Sequence, residues 1–188
     1  MAQVRQYAGS LWLSPVFCFP TLAFGDVFSV LGFAEWLDVD GILFSCSAFA
    51  ESIDTARGNA DIPILKPNEA MFEEALEIGG RIGMLVTFEP AISSMVDEFA
   101  QMTASHKSKS SLETHFVPGA LEALNAGKVE KHHQLLANAA QGLPSYDVLM
   151  LAQFSMSGAK SLVENSVSAK VLTSPGSAIA KLKTMIVP

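Results

Sequence analysis

A cysteine stands near the end of one apolar run, and a glutamine takes the same place in a second run. The first run, DGILFSCSAFAES, covers residues 40–52 and holds Cys46 between two serines. The second, DVLMLAQFSMSGA, covers residues 147–159 and has Gln153 where the cysteine is expected. A thiol with a lowered pKa can act as a nucleophile or general base, whereas many free cysteines are inert core residues. The run alone leaves both interpretations of Cys46 open.

The two runs belong to an internal repeat with an offset of 107 residues. Aligning Asp40 with Asp147 places Cys46 over Gln153. The segments PILKPNEA and KVLTSPGS align at the same offset. Two matches at one offset indicate a duplicated unit, with chance similarity between apolar strands as the alternative.

Each repeat unit predicts the order strand, turn, helix, strand, turn, helix. GILFS and VLMLA are continuous apolar runs, typical of parallel strands covered on both faces. NEAMFEEALEIGG predicts a helix that Asn68 caps and Gly79 and Gly80 end; the alternative is that Asn68 and Glu69 reach a ligand. RIGMLVTF predicts a strand, EPAISSMVDEFAQM a helix, and the segment 117–143 one or two helices. The alternation predicts an α/β fold with mainly parallel sheets flanked by helices.

The duplication predicts two pseudo-symmetric lobes that face each other across a cleft. The first lobe covers residues 1–78, with the C-terminal helix 176–188 packing back on it, and the second covers residues 79–175. Strand 81–88 has no counterpart 107 residues earlier, so the first lobe is incomplete or builds its opening strand from residues 10–34. We therefore expect a shortened or divergent N-terminus.

Composition and charge exclude several classes of protein. A net charge of −7 with scattered Lys and Arg argues against nucleic-acid binding. Two cysteines form neither a disulfide framework nor a zinc site, so we expect a reduced cytoplasmic protein with a structural Cys18. Pro15, Pro20 and Asp26 interrupt the apolar segment 10–34, which leaves a membrane span or signal peptide as the less favoured alternative.

Cys46 and Gln153 each stand at the carboxyl end of a predicted strand, just before a predicted helix. Ligands of open parallel sheets bind beyond this end of the strands. A helix N-terminus offers free N–H groups and a positive potential, which suit a carboxylate and favour a thiolate. The pattern therefore predicts a site for a small anion.

The chain resembles the aspartate/glutamate/hydantoin racemase superfamily over about residues 35–183. The resemblance lies in DGILFSCSAFAESID, in PILKPNEAMFEEALEIGGRIGMLVTFEPAISSMVDEF, in VPGALEALNAGKVEKHHQLLANAA, and in YDVLMLAQFSMSGA with VLTSPGSAIAKL. It implies an active site between two lobes, no cofactor and a homo-oligomer. In such enzymes a thiolate of one lobe removes the proton beside a carboxylate, and a thiol of the other lobe returns one on the opposite face.

Carried over position by position, the resemblance assigns Cys46 as the catalytic cysteine of the first lobe. It assigns substrate-binding positions at the strand ends and beside them: Ser45, Ser47, Ala48, Thr87, Phe88, Gln153, Phe154 and Ser155. Gln153 replaces the second cysteine, and an amide cannot act as a base. The nearest substitutes are Ser155 or a water molecule.

Three functions stay open at this point. The first is a racemase that transfers a proton at the carbon next to the carboxylate of an amino acid or hydantoin. The second is a single-cysteine decarboxylase of the arylmalonate type, with its cysteine in the opposite lobe. The third is an inactive member that binds a small carboxylate.

The four histidines have weaker patterns. His132 and His133 are predicted to be surface residues of a helix. His106 and His115 flank the polar stretch SHKSKSSLETH, which predicts an exposed loop or helix end, with a mobile flap as the alternative.

Overall fold

A computed structural model of the protein describes residues 39–45 and 50–186, which fall into two compact units. One unit contains residues 39–45, 50–66 and 181–186, and the other contains Pro67–Ala180. Both contain parallel strands and helices, so the predicted α/β class is confirmed. The predicted lobe boundaries stay a prediction. Cys18, Cys46, Ser47, Ala48 and the segment 10–34 lie outside the described residues.

The described residues contain six strands and seven α-helices in largely alternating order. In chain order these are β1 Ile42–Leu43, α1 Ala50–Arg57, β2 Ile64–Leu65, α2 Glu69–Ile78, β3 Arg81–Val86, α3 Ile92–Ser105, β4 Ser111–Phe116, α4 Ala120–Asn125, α5 Val129–Gln141, β5 Val148–Leu151, α6 Lys160–Glu164, β6 Lys170–Thr173 and α7 Ser174–Ile186. Short 3-10 helices at Glu89–Ala91 and Phe154–Ala159 precede α3 and α6. None of these described helices is long and apolar enough to cross a membrane.

The first unit contains a pair of parallel strands, β1 and β2. Helix α1 buries Ile53 and Ala56 against Ile64 of β2. Lys66, just after β2, forms an ion pair with Asp54 of the same helix at 3.2 Å.

The second unit has a parallel four-stranded sheet in the order β4-β3-β5-β6. Successive side chains of a strand point to opposite faces, so the sheet supplies two cores. The face covered by α2 and α3 carries Ile82, Met84, Val86, Val148, Met150 and Leu172. The face covered by α5 and α6 carries Leu85, Leu149, Leu151 and Val171. Burial on both faces explains why these strands read as continuous apolar runs.

The internal repeat is present in the strand pairing. Ile42 lies opposite Ile64 in the first unit. The residues 107 positions later, Leu149 and Val171, lie opposite each other in the second unit. The same correspondence relates the next pairs along β1–β2 and β5–β6. The shared register supports duplication over chance similarity of apolar runs.

The polar stretch SHKSKSSLETH differs from the prediction in its second half. Helix α3 ends at Ser105, as the helix-end interpretation requires. Ser111–Phe116, however, forms β4 along the whole of β3, so the loop and flap interpretations are wrong there. Strand β4 lies at one edge of this sheet, keeps polar side chains and lacks the continuous apolar run of a central strand.

The prediction of a surface position for His132 is wrong. Its side chain is fully buried, and Nδ1 lies 2.8 Å from the carbonyl oxygen of Ala120. That carbonyl can only accept, so the ring carries its proton on Nδ1. His132 lies one turn before the buried Leu136 and two turns before Ala140, and this helical spacing was the missed signal. His133, beside it, is half-buried.

Asn68 occupies the position before α2, but its side chain does not cap the helix. Asn68 is 3% exposed, and its Oδ1 atom has no hydrogen-bond partner among the described residues. Its backbone is in the helical region, whereas a capping residue usually adopts an extended conformation. Gly79, with a φ of 78°, ends the helix as predicted.

Candidate functional site

Thr87 and Gln153 lie side by side at the carboxyl end of the four-stranded sheet. Strands β3 and β5 are neighbours, with Leu85 opposite Leu151. The backbone N–H of Ala152 still donates to the carbonyl of Leu85, at 3.1 Å. Two residues further along the same register, Thr87 lies opposite Gln153. Strand pairing therefore positions both residues.

The Gln153 side chain continues the hydrogen-bond ladder beyond the end of β5. Its Oε1 atom accepts from the backbone N–H of Thr87 at 2.9 Å and from the Thr87 hydroxyl at 3.2 Å. A backbone N–H can only donate, so the atom that faces it is the amide oxygen rather than the amide nitrogen. The orientation of the Gln153 amide is therefore determined by its partner.

Among the described residues, the amide nitrogen of Gln153 has no equivalent partner. Nε2 is buried and makes no hydrogen bond to any described residue. A buried donor without an acceptor costs about 1–3 kcal/mol. Two N–H bonds are thus available at the strand end for an acceptor atom.

The segment after Gln153 differs from the predicted α-helix. Gln153 has an extended backbone, with φ −99° and ψ 147°, and a 3-10 helix of six residues follows. The backbone N–H of Gln153 donates to the sulfur of Met156 at 3.4 Å. Met156 is fully buried and anchors this turn, which holds the Gln153 backbone at the strand end.

The other predicted site residues of the second unit follow these two directly. Phe88 is 37% exposed, Phe154 is half-buried and Ser155 is exposed. In the first unit, Ser45 is exposed two residues after β1. The roles of these residues, like those of Cys46, Ser47 and Ala48, stay a prediction.

The two strand-end segments carry little charge. VTFEPA, residues 86–91, and AQFSMSGA, residues 152–159, contain one ionisable side chain, that of Glu89. No group of three or more His, Cys, Asp or Glu residues in the described ranges could hold a metal ion. Within these two segments, the groups that could hold an anion are neutral N–H and O–H donors.

A second polar cluster, which the sequence did not predict, involves β3, β4 and Tyr146, two residues before β5. Glu113 accepts from Arg81 at 2.9 Å and from the Tyr146 hydroxyl at 2.7 Å. His115 Nε2 lies 2.6 Å from the same hydroxyl, and the Arg81 guanidinium lies over the Tyr146 ring. The hydrogen bonds from Tyr146 and then Arg81 lower the pKa of Glu113. Burial, followed by the bond to Glu113, raises the pKa of Tyr146 to about 12.

The cluster takes its members from the beginnings of β3 and β5 and from the middle of β4. Arg81 is the first residue of β3, and Tyr146 precedes β5 by two residues. Thr87 and Gln153 follow the opposite ends of the same two strands. The cluster therefore belongs to the framework of the unit and not to the candidate site.

The sequence profile of the Asp/Glu/hydantoin racemase family matches residues 25–182, which is most of the chain. The chain belongs to this family. Comparison with curated proteins gives no significant sequence match.

Solved structures with the same fold include glutamate racemases and arylmalonate decarboxylases. Glutamate racemase from Francisella tularensis, in complex with D-glutamate, has a TM-score of 0.64 at 13% identity, over 92% of this chain and 67% of that one. An isoform from Bacillus anthracis has a TM-score of 0.62 at 15% identity, over 86% of this chain and 63% of the other. A Gly-to-Cys, Cys-to-Ser double mutant of arylmalonate decarboxylase in its liganded form has a TM-score of 0.61 at 14% identity, over 87% and 75% of the two chains.

These similarities establish the fold and the family. The chain spans 63% of the length of the Bacillus anthracis racemase and 66% of that from Campylobacter jejuni. The activity, the substrate and the reaction of this chain are proposals.

Proposed function

We propose that the protein transfers a proton at the carbon next to a carboxylate, without a cofactor, and that Cys46 is its acid and base. The observation that carries the proposal is Gln153, whose amide stands at the position where the resemblance expects a second thiol. An amide does not titrate in the working pH range. In the mechanism that the resemblance implies, Cys46 would serve one face of the substrate, and the position for the other face holds no ionisable group.

One thiol changes the expected outcome of the reaction. Cys46 as thiolate removes the proton from the substrate carbon, which leaves an enediolate with its charge on the carboxylate oxygens. The resulting thiol returns its proton, or a deuteron taken up from heavy water, to the same face. We therefore expect exchange with retention of configuration in one enantiomer, rather than efficient racemisation.

The residues around Gln153 support an acid with an apolar substituent. Phe88 and Phe154 directly follow Thr87 and Gln153, and Phe88 is substantially exposed. The same segments contain no Lys or Arg to pair with a charged substrate side chain. Aryl- or alkyl-substituted carboxylic acids fit this environment better than aspartate or glutamate.

Decarboxylation is the second candidate, and the same missing thiol favours it. Loss of carbon dioxide from a disubstituted malonate gives an enediolate without any base. A single thiol, that of Cys46, then protonates the carbon from one face. The fold shared with arylmalonate decarboxylase is compatible with this reaction.

A parallel assay of exchange and decarboxylation tests the proposal. The protein is incubated in heavy water with panels of amino acids, hydantoins and 2-aryl carboxylates, and loss of the Cα proton is followed by NMR. Arylmalonates are assayed for carbon dioxide release. We expect one of these activities in the wild type and in Cys18→Ala, because Cys18 is the only other cysteine of the chain, and loss of activity in Cys46→Ala. Neither activity in folded protein, or full activity in Cys46→Ala, would contradict the proposal.

A further inference from the structure

The two polar atoms of the Gln153 amide differ in their hydrogen bonding among the described residues. Its oxygen accepts two hydrogen bonds from Thr87, while its nitrogen is buried and has no partner among the described residues. The fixed oxygen prevents the amide from turning over, because the Thr87 backbone N–H would then face another donor. The two N–H bonds must therefore find an acceptor elsewhere or stay unsatisfied.

The position of this donor points to a ligand. Gln153 lies beyond the carboxyl end of a central strand, where open parallel sheets bind their ligands. An unsatisfied donor in the interior of a protein costs free energy, and a donor shielded from water interacts more strongly with a charged acceptor. Of the possible acceptors, a negatively charged ligand oxygen therefore gains the most free energy from this donor.

We propose that Gln153 is an oxyanion donor: Nε2 hydrogen-bonds a carboxylate oxygen of an apolar-substituted acid and holds the negative charge that develops there. This inference rests on the proposed function for its reaction, in which the carboxylate becomes an enediolate as the Cα proton leaves. A preorganised N–H donor stabilises such a charge more than it stabilises the ground state. Gln153 thereby replaces the base of the second lobe with a group that binds charge.

Thr87 is the positioning residue for this donor. It does not need to touch the ligand, since its N–H and hydroxyl hold the opposite end of the amide. Loss of the hydroxyl in Thr87→Val leaves one of the two bonds, so we expect binding to weaken about fivefold, the value of one neutral hydrogen bond. Thr87→Ser keeps the hydroxyl and should restore binding.

The test uses phenylacetate as the charged probe and phenylacetamide as its neutral counterpart. In ¹⁵N-labelled protein, the side-chain NH₂ signals of Gln153 are identified by their absence from the Gln153→Glu variant. We expect phenylacetate to shift these signals and phenylacetamide to shift them much less. We expect Gln153→Glu to raise the Kd for phenylacetate about tenfold or more, because a charge-assisted bond is replaced by repulsion between carboxylates.

Two further variants keep the result interpretable. Gln153→Asn, which retracts the amide by one methylene, should also weaken binding without adding charge. Gln101→Glu makes the same charge change at an exposed position of α3 and should leave the Kd within about twofold, as surface changes generally have small effects. Unmoved Gln153 signals, a Gln153→Glu protein that binds as well as Gln101→Glu, or no binding of phenylacetate to the wild type would overturn the inference.

Measurements of binding and of turnover distinguish a failure of this inference from a failure of the proposed function. Phenylacetate bound through Gln153, in a protein that neither exchanges Cα protons nor releases carbon dioxide, refutes the reaction and supports the donor. Exchange that proceeds equally in the wild type and in Gln153→Asn supports the reaction and refutes the donor.

Discussion

The Ser174 hydroxyl donates a hydrogen bond to the Pro67 carbonyl oxygen, and these two residues occupy equivalent positions of the internal repeat. They are 107 residues apart, as are β2 and β6, the strands that precede them. Ser174 begins α7 and is fully buried, and Pro67 lies two residues before α2. Three residues further on, the Ser177 hydroxyl donates to Glu74 of α2 at 2.6 Å. The starts of two repeat-related helical segments thus contact each other within the second unit.

This contact predicts a loss of stability in Ser174→Ala. The substitution removes the donor and leaves a buried carbonyl without that bond, so the free energy of unfolding should fall by about 1–3 kcal/mol. Urea denaturation followed by circular dichroism measures the change. Ser168→Ala, at an exposed position, is the matched control and should stay within about 0.5 kcal/mol of the wild type. Equal stability of the two variants would show that the Ser174 bond contributes nothing.

Gly83→Ala should destabilise the second unit through the face that holds Tyr146. A Cβ atom at position 83 would lie 2.7 Å from Cδ2 of the Tyr146 ring and 3.0 Å from Leu149. Because the position is buried in β3, the ring must move, and overpacking of this kind costs about 1–3 kcal/mol. Gly142→Ala, where the nearest atoms are 3.6 Å away, is the control. Unfolding of Gly83→Ala and Gly142→Ala at the same urea concentration would contradict the predicted overpacking at position 83.

The raised pKa of Tyr146 predicts a specific alkaline transition. Burial and the hydrogen bond to Glu113 hold its pKa at about 12, above the ordinary value of 10.0. A raised folded-state pKa means that the contribution to stability is complete below pH 10 and is lost as the pH rises towards 12. The chain has two tyrosines, so Tyr7→Phe isolates Tyr146 in an absorbance titration at 295 nm. Ionisation of Tyr146 near pH 10 in folded protein would contradict its burial and its hydrogen bond to Glu113.

In Gln153→Cys, proton transfer should occur on both faces of the substrate carbon instead of on one. The new thiol would stand near the Thr87 N–H and hydroxyl that now bind the Gln153 oxygen, and such donors favour a thiolate. We expect the variant to racemise a substrate that the wild type only exchanges with retention, as measured by chiral chromatography. Gln101→Cys, with its thiol on exposed helix surface, controls for an added cysteine. If Gln153→Cys has a free and reactive thiol at position 153 but still exchanges the substrate with retained configuration, positions 46 and 153 do not act on the same substrate carbon.

The central strands could be predicted from sequence because they are buried on both faces. Leu149 and Met150 point to opposite cores, so no polar residue interrupts their run. Strand β4 was missed because Glu113 and His115 bind other polar side chains there, and a strand with polar contacts resembles a loop. His132 was missed because its partner, the Ala120 carbonyl, becomes available only when α4 and α5 pack.

The hydrogen bonding within the candidate site could not be predicted from the sequence. The resemblance selected Thr87 and Gln153 as positions, but it could not indicate that they bind each other. That bond follows from the neighbouring placement of β3 and β5, two strands 66 residues apart in the chain. Local patterns carry no information about which strands become neighbours, so the orientation of the Gln153 amide, and with it the free donor, required the structure.

The most direct test of the single-thiol account compares the two enantiomers of one acid. Each enantiomer of a 2-aryl carboxylate that undergoes exchange in the parallel assay, or of 2-phenylpropionate if only arylmalonates are turned over, is incubated separately with the protein in heavy water. Deuterium at Cα is then measured by NMR. Single-thiol chemistry predicts that one enantiomer acquires deuterium with retained configuration, that the other keeps its proton, and that Cys46→Ala abolishes the exchange. Comparable exchange of both enantiomers, or exchange that persists in Cys46→Ala, would contradict it.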